Sequence, residues 1–183
     1  GNRNAQIVFA NSGGAVAGIN PNLKVFKPVF IAMALPYEGV REEEFEITIT
    51  VFNYHKTKDL TNPRLEIEMQ NGLQPIDTSA TGTGTSDSLT DLGFEKVVSF
   101  SAALPGEVNL GVKYTKNIAK LGKSDFFQTK FYVSSSKAGA STIQGKIVPQ
   151  TSDYVNNGEF ALLSDAMIKT LNVKPEGVAQ EKT

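Results

Sequence analysis

Few residues of this chain are of the types that carry out chemistry. The 183 residues include one histidine, His55, and no cysteine. A lone histidine cannot build a histidine pair or a multi-histidine metal site, and the lack of cysteine removes thiolate ligands, disulfides and cysteine nucleophiles. His55 follows a predicted strand between Tyr54 and Lys56, so we expect an exposed turn residue and not a catalytic base.

Acidic residues could in principle bind a cation. The run Glu42, Glu43, Glu44 is uninterrupted, so successive side chains point in different directions, and a solvated turn is the favoured interpretation. The other acidic candidates are scattered, without the spacing of a calcium loop: Asp87, Asp91, Asp125 and Asp153. The sequence therefore predicts no metal site, no cofactor and no catalytic residues.

Two polar segments are predicted to be surface loops. Residues 79–91 contain Gly82 and Gly84, but this stretch lacks the lysine and the strand-to-helix context of a phosphate-binding loop. Its low apolar content predicts a mobile connection. Residues 134–141, rich in serine and small side chains, are predicted to be a similar loop.

Four aromatic residues cluster in the second half of the chain: Phe126, Phe127, Phe131 and Tyr132. Packing in the core or between domains is the favoured interpretation, and a patch that binds a partner is the alternative. The net charge of -1 and the absence of a basic stripe argue against nucleic-acid binding. The longest apolar run, from Val29 to Leu35, is far shorter than the roughly 20 residues that span a bilayer.

Alternation with a period of two dominates the chain and predicts strands. The clearest strands are predicted over residues 45–51, 65–69 and 108–114, with further β-prone stretches at 97–100, 127–133 and 167–173. One short helix is predicted within residues 158–165. The fold class is therefore all-β, an antiparallel β-sandwich.

Two stretches resemble the α2-macroglobulin and thioester-protein family. The first runs from Val25 to Tyr37 and on through an arginine turn to the strand end "VFNY" at residues 51–54, similar to the family's run from "PY...VRGE" to "VFNY". In this interpretation Phe26 and Phe30 anchor the first strand, Pro36 and Tyr37 turn the chain, and the next strand returns antiparallel. The second stretch, residues 165–177, resembles the segment by which the family leaves this domain for a CUB domain.

The resemblance implies an immunoglobulin/fibronectin-III-like macroglobulin domain at residues 23–174. Residues 1–22 would be the exit segment of a preceding macroglobulin domain, and residues 175–183 a linker toward a CUB-like domain. An insertion is predicted at residues 116–163, where the chain is longer than its relatives. Glu42 stands where the family usually has glycine, which predicts a different turn conformation, and the family's thioester motif is absent from this chain.

The implied function is that of a non-catalytic scaffold domain of a secreted, extracellular protein that traps proteinases or acts in complement-like innate immunity. Its partners would be the neighbouring macroglobulin, CUB and thioester domains and, through the parent protein, target proteases or microbial surfaces. Two alternatives stay open. A free-standing immunoglobulin-like module would bind ligands through residues 79–91 or 134–141, and a hydrolytic domain would need polar groups that converge in a pocket.

Overall fold

The structure, a computed structural model, describes residues 27–76, 87–97 and 111–175. These ranges contain twelve β-strands and one short α-helix, α1, at Asn157–Leu163. The strands are β1 (Val29–Ala34), β2 (Glu38–Val40), β3 (Phe45–Asn53), β4 (Leu60–Thr61), β5 (Arg64–Met69), β6 (Leu73–Pro75), β7 (Glu95–Val97), β8 (Val112–Asn117), β9 (Lys120–Leu121), β10 (Asp125–Ser135), β11 (Gly139–Val148) and β12 (Asp165–Lys174).

The strands form two main sheets. The small sheet has the order β1-β3-β10-β6, and all its neighbours are antiparallel. The large sheet has the order β2-β12-β11-β5-β8-β7 and is antiparallel except for β2, which runs parallel to β12. β4 and β9 form a separate two-stranded ribbon. The prediction of an all-β sandwich is confirmed.

One apolar core lies between the two sheets. Alternate residues of β3, including Ile47, Ile49 and Val51, are fully buried and face Ile67 of the large sheet across the interior. Side chains of the small sheet pack directly against Gly145 of β11, which has no side chain of its own. A Cβ atom at this glycine would lie 2.9 Å from Cδ1 of Ile31.

The predicted strands with clear alternation are confirmed as β3 and β5, and the weaker ones at 127–133 and 167–173 lie in β10 and β12. The predicted strand at 108–114 is confirmed from Val112 onward as part of β8, while residues 98–110 lie outside the described ranges. Helix α1 confirms the predicted short helix. Its first turn is capped by Asn156, whose side chain accepts a hydrogen bond from the backbone N–H of Glu159.

The prediction of a loop at residues 134–141 is wrong. β10 extends to Ser135 and β11 begins at Gly139, so only three residues form the turn between them. Ser135 and Ser141 are fully buried, and both hydroxyl groups donate to the backbone carbonyl of Asn71. Serine is compatible with a buried strand here because its hydroxyl group has a backbone partner.

The role predicted for Phe30 as an anchor of the core is also wrong. Val29, Ile31 and Met33 are the residues of β1 that point into the core, so Phe30 points to the outer face of the small sheet. Alternation allows only one of the two sets to be buried. Phe26, the other predicted anchor, lies outside the described residues.

Residues 116–163, predicted to be an insertion, contribute to both sheets. β10 pairs with β3 over nine residues in the middle of the small sheet, and β11 lies between β12 and β5 in the large sheet. These strands are therefore integral to the sandwich. That the chain is longer here than its relatives stays a prediction.

The chain crosses from one sheet to the other at Pro36 and Tyr37, between β1 and β2. A second turn at residues 41–44 then leads into β3. Glu42 in this turn has φ 71°, in the left-handed region, and its N–H donates to the carbonyl of Ser135 at 3.0 Å. Glu42 thus adopts a conformation that glycine reaches without strain, and a turn that differs from the family's stays a prediction.

Replacing Glu42 by glycine is expected to leave the free energy of unfolding unchanged or to raise it by up to about 1 kcal/mol. Because Glu42 is exposed, its replacement removes no buried side-chain contacts. The relief of left-handed backbone strain outweighs the greater freedom of glycine in the unfolded chain. Urea denaturation measures the change. Glu43→Gly is the matched control and should destabilise the fold, and a clear loss of stability in Glu42→Gly would contradict the assignment of strain.

Candidate interaction surfaces

His55 lies in the turn that follows β3, as predicted, but it is half-buried and not exposed as expected. Its Nδ1 atom accepts hydrogen bonds from the backbone N–H groups of Thr57 at 3.3 Å and Lys58 at 3.1 Å. The ring therefore satisfies two backbone donors of the turn. This is a structural role for the only histidine in the chain.

Asn53 organises the same turn, and the sequence analysis did not single it out. It is the last residue of β3 and is completely buried. Its amide group donates to the carbonyls of Lys58 at 3.0 Å and Leu121 at 3.1 Å, while its Oδ1 atom accepts from the N–H of His55. One side chain thus ties the end of β3 to the loop after it and to β9.

Asp87, one of the aspartates considered as cation ligands, holds backbone groups instead. Asp87 accepts from the N–H groups of Leu89 and Thr90 through one carboxylate oxygen and from the hydroxyl of buried Tyr114 through the other, at 2.7 Å. Burial, together with this hydrogen bond to a carboxylate, raises the pKa of Tyr114. In the described part of the chain, no group of three or more His, Cys, Asp or Glu side chains is placed to hold a metal ion.

Asp153 and Asp125, also considered as cation ligands, likewise bond to the backbone. Asp153 is buried and accepts from the N–H of Thr61 at 2.7 Å, which joins the 3-10 turn before α1 to β4. Asp125 is exposed at the start of β10 and accepts from the N–H of its neighbour Phe126. The residues Gly82 and Gly84 lie outside the described ranges.

The three consecutive glutamates are exposed, as expected for a solvated turn. Glu43 and Glu44 border an open groove of about 520 Å³ between β2 and the start of β3, together with Glu38 and Glu46. Glu38 pairs with Lys174 and Glu46 with Lys130, so half of the acidic rim is already matched by lysines.

A ladder of opposite charges covers the outer face of the large sheet. Glu66 of β5 accepts a hydrogen bond from Nε of Arg64 at 2.7 Å and lies 3.4 Å from Nζ of Lys113 on β8. Partial burial would raise the pKa of the Glu66 carboxyl, but the Arg64 hydrogen bond and the charges of both partners outweigh it and hold the pKa below its ordinary value. This face is therefore polar and internally neutralised.

Glu66→Gln is expected to reduce stability near neutral pH by less than about 1 kcal/mol. Because the folded-state pKa is lowered, the ionised carboxylate stabilises the fold above the unfolded value of about 4.3, and this contribution is lost as the pH falls through the folded value. Denaturation curves at several pH values should therefore show the two proteins converging below about pH 4. A difference that stays constant into acid would contradict the ladder, and exposed Glu95→Gln serves as the control.

The chain enters the described sandwich at a clamp formed by Asp165, the first residue of β12. One carboxylate oxygen accepts from the N–H of Ile31 at 2.9 Å, and the other lies 3.1 Å from Nζ of Lys27. Lys27 also donates to the carbonyl of Ser164. The free edge of β1 is thus joined to the other sheet by a side chain.

Asp165→Ala is expected to speed hydrogen exchange of the Ile31 amide about 10-fold or more, since a hydrogen bond to a charged acceptor stabilises by about 1.5–3 kcal/mol. Exchange monitored by NMR measures it. The amide of Phe30, which is opposite Phe52 on the paired side of β1, should not change. Asp165→Asn keeps an acceptor and should lie between the two, whereas an unchanged Ile31 rate in Asp165→Ala would rule out the clamp.

The chain leaves the sandwich at the opposite end. β1 and β12 run in the same direction, with Ile31 beside Asp165 and Val40 of β2 beside Lys174. The nine steps from Asp165 to Lys174 at roughly 3.3 Å per residue place the two ends about 30 Å apart. The backbone N–H of Arg41 donates to the carbonyl of Lys174, which fastens the chain where it leaves.

Four aromatic rings form a cluster on the outer face of the small sheet, at the end where the chain enters. We call Phe30, Phe52, Tyr54 and Phe126 the aromatic patch. The rings of Phe30 and Phe52 stack at 4.8 Å, Tyr54 lies 5.4 Å from each of them, and Phe126 lies 6.2 Å from Phe52. Tyr54 is 48% exposed and Phe126 is 56% exposed. Apolar side chains of this size on an outer sheet face indicate a contact surface.

The aromatic residues singled out in β10 are divided between the two faces of the small sheet. Phe131 is buried in the core and Phe127 packs against it, whereas Phe126 and Tyr132 are exposed on the other side. The prediction of core packing is therefore correct for Phe131 and Phe127, whereas Phe126 and Tyr132 lie on the outer surface. Alternation along β10 explains the division.

Comparison with known proteins supports the family resemblance. The sequence model of the Alpha-2-macroglobulin family matches residues 5–64, which is 60 of the 183 residues. The match includes the whole of β1, β2 and β3 and the "VFNY" strand end. The resemblance to the α2-macroglobulin family that the sequence predicts is therefore confirmed over this stretch.

Several solved structures resemble the chain with TM-scores below 0.5. They include AvmM, which catalyzes macrocyclization in alchivemycin A biosynthesis (TM-score 0.48, 9% identity, 91% of this chain and 99% of that chain). A cohesin module from a Clostridium perfringens family 33 glycoside hydrolase has a TM-score of 0.42 with 10% identity, over 82% of this chain and 100% of that chain. The sporulation control protein Spo0M from Bacillus subtilis has a TM-score of 0.43 with 9% identity, over 81% of this chain and 50% of that chain.

Within the three described ranges, α1 is much too short to cross a bilayer, and no helix there combines the length and apolar character of a membrane span.

Proposed function

We propose that this chain is a scaffold domain of an α2-macroglobulin or thioester-type protein and that it performs no catalysis of its own. The observation that carries the proposal is where the chain enters and where it leaves the described sandwich. The chain enters beside Asp165 and leaves beside Val40, at opposite ends of the sandwich. A domain whose neighbours are attached at opposite ends can relay movement along a row of domains. Here a macroglobulin domain would precede it at one end and a CUB-like domain would follow at the other.

The chemistry of the described residues supports the same proposal. The imidazole of His55 is engaged with two backbone N–H groups, and Asp87 and Asp153 each hold backbone amides. Groups that are committed to the fold in this way are poor acids, bases or nucleophiles. The hydrolytic alternative therefore has little to build on in the described part of the chain.

The free-standing binding module is less well supported than the scaffold. Of the two segments proposed to bind its ligand, residues 134–141 consist mainly of strand ends with a three-residue turn. The other segment lies largely outside the described residues. Hydrogen bonds fix the chain both where it enters and where it leaves the sandwich. This favours a domain whose function depends on its neighbours.

We further propose, from the resemblance, that the parent is secreted and acts by trapping proteinases or as a complement-like opsonin. This chain would then pack against macroglobulin, CUB and thioester domains and relay movement between them. Target proteases or microbial surfaces would be met through the parent.

Hydrogen exchange of the chain alone and within the longer parent polypeptide tests the scaffold role. Neighbouring domains are expected to add protection at the two ends, near residues 27–31 and 54–58 and near residues 38–42. The charged ladder around Glu66 serves as an internal control and should exchange equally in both contexts. Equal exchange at both ends, or added protection confined to the middle of the sandwich, would contradict the role.

A further inference from the structure

His55 is the one side chain of this protein that ordinarily changes charge between about pH 5 and 8. The chain contains a single histidine and no cysteine, and histidine is the residue type that titrates in this range. The ring also lies where protonation has a definite structural effect, in the turn between β3 and β4. A change of the fold in this pH range can therefore be assigned to one residue.

The hydrogen bonds of the turn require a ring nitrogen without a proton. Nδ1 of His55 accepts from the backbone N–H groups of Thr57 at 3.3 Å and Lys58 at 3.1 Å. A neutral ring that accepts at Nδ1 carries its proton on Nε2, whereas both nitrogens are donors in the charged ring. Protonation of Nδ1 would therefore turn a ring N–H toward two backbone N–H groups, and both hydrogen bonds would be lost.

We propose that His55 is a pH-sensitive switch for the turn at residues 54–58. The turn is ordered while the ring is neutral, and it opens as the pH falls and Nδ1 takes up a proton. This inference goes beyond the proposed scaffold function and does not depend on it, because it concerns a local equilibrium within the folded domain.

A carboxylate of the neighbouring helix gives the charged ring an alternative partner. Glu159 of α1 has a lowered pKa, chiefly because of a hydrogen bond from Lys58, and the charge of His55 also contributes. The charged ring would therefore compete for this carboxylate with the ammonium of Lys58, which lies 3.0 Å from it. The other charged side chains of the turn are Lys56 and Asp59, and Asp59 accepts from a backbone N–H of the loop after β9.

Opening of the turn would affect more than the two lost hydrogen bonds, because Lys58 connects the turn to two other elements. Its carbonyl accepts from the buried amide group of Asn53 at 3.0 Å, and its ammonium pairs with Glu159. Glu159 also accepts from the N–H of Val155, just before α1. Protonation of one ring would therefore loosen the end of β3 and the start of α1 together, next to Tyr54 of the aromatic patch.

Hydrogen exchange of the full chain, followed by NMR at about pH 7.5 and about pH 5, tests the switch. The rates are first corrected for the intrinsic pH dependence of amide exchange. We expect the protection of the Thr57 and Lys58 amides to fall about 10-fold at the lower pH, which is the effect of losing one hydrogen bond. The amide of Ile67, in the middle of the large sheet, is the internal control and should keep its protection.

Two substitutions separate protonation of the ring from other effects of acid. His55→Asn keeps an acceptor, because an asparagine side chain can accept from the backbone N–H two residues on, but it does not titrate, so protection should be equal at both pH values. His55→Ala has no acceptor and should show low protection already at about pH 7.5. Equal protection of the original chain at both pH values, or the same acid-dependent loss in His55→Asn, would overturn the proposal.

Discussion

Replacing Asn53 with alanine is expected to lower the free energy of unfolding by about 3 kcal/mol or more, the largest loss among single polar substitutions considered for this chain. The side chain is fully buried and holds the carbonyls of Lys58 and Leu121 and the N–H of His55. Each buried group left without a partner costs about 1–3 kcal/mol. Urea denaturation followed by circular dichroism measures the change.

Two further variants make the Asn53 prediction specific. Asn53→Asp keeps an oxygen for the N–H of His55 but can no longer donate, and it turns a charge toward two carbonyls, so it should be at least as destabilising as alanine. Asn117→Ala removes an exposed amide that donates weakly to Asn62, at 3.4 Å, and should change stability by less than about 0.5 kcal/mol. Equal effects of Asn53→Ala and Asn117→Ala would show that the buried network is unimportant.

Replacing Gly145 with leucine is expected to cost about 3 kcal/mol or to prevent folding, because the two sheets meet at this residue. Its added Cβ would lie 2.9 Å from Cδ1 of Ile31 and 3.2 Å from Cε of Met33, and the rest of a leucine side chain has no space. Overpacking of a filled core typically costs 1–3 kcal/mol and occasionally more. Thermal and urea unfolding measure the effect. Gly122→Leu is the control, since a Cβ there would lie no nearer than 3.8 Å to its nearest neighbour, Oδ1 of Asp59.

A double substitution separates overpacking from other effects at Gly145. Gly145→Ala should be mildly destabilising, because only the flexible ends of Ile31 and Met33 need to move. Ile31→Val alone removes the nearest atom and should cost about 0.5–1.5 kcal/mol. If contact is the cause, the two changes together should cost less than the sum of their separate effects. Simple additivity would mean that the glycine is needed for another reason.

Period-two alternation predicted the strands well because burial of one face is a local property of the sequence. β3 and β5 lie where alternation placed them, and the family-like stretch marks the corner at Pro36. The prediction of which β1 residues face the core was wrong. Phe30 is the larger side chain, but Val29, Ile31 and Met33 form the more continuous apolar row.

Hydrogen bonds between distant segments could not be predicted from spacing. Ser135 and Ser141 are compatible with buried strands only because the carbonyl of Asn71, far away in sequence, accepts from both. Asp165 and Asn53 likewise depend on partners from other strands. The signal for Asn53 was present in the "VFNY" strand end, where a polar amide interrupts an apolar run, but its burial becomes clear only from the fold.

The sequence predicts no catalytic or metal site, and three of the candidate residues it offered share one structural role. His55, Asp87 and Asp153 are the polar residues that any search would select, and each satisfies backbone donors at the end of an element. The sequence suggested these side chains as possible ligands, and in the structure they stabilise turns. The aromatic patch was found only in part, because its rings come from β1, the end of β3 and β10.

The parallel course of β1 and β12 has a mechanical consequence. A pull on the two ends of the chain would draw β1 and β2 toward one end of the sandwich and β12 toward the other. The ladders of β1 with β3 and of β2 with β12 would then carry the load side by side, so their rungs would have to break together and not one after another. Under such a load the domain would pass on tension as a stiff link and would not itself unravel.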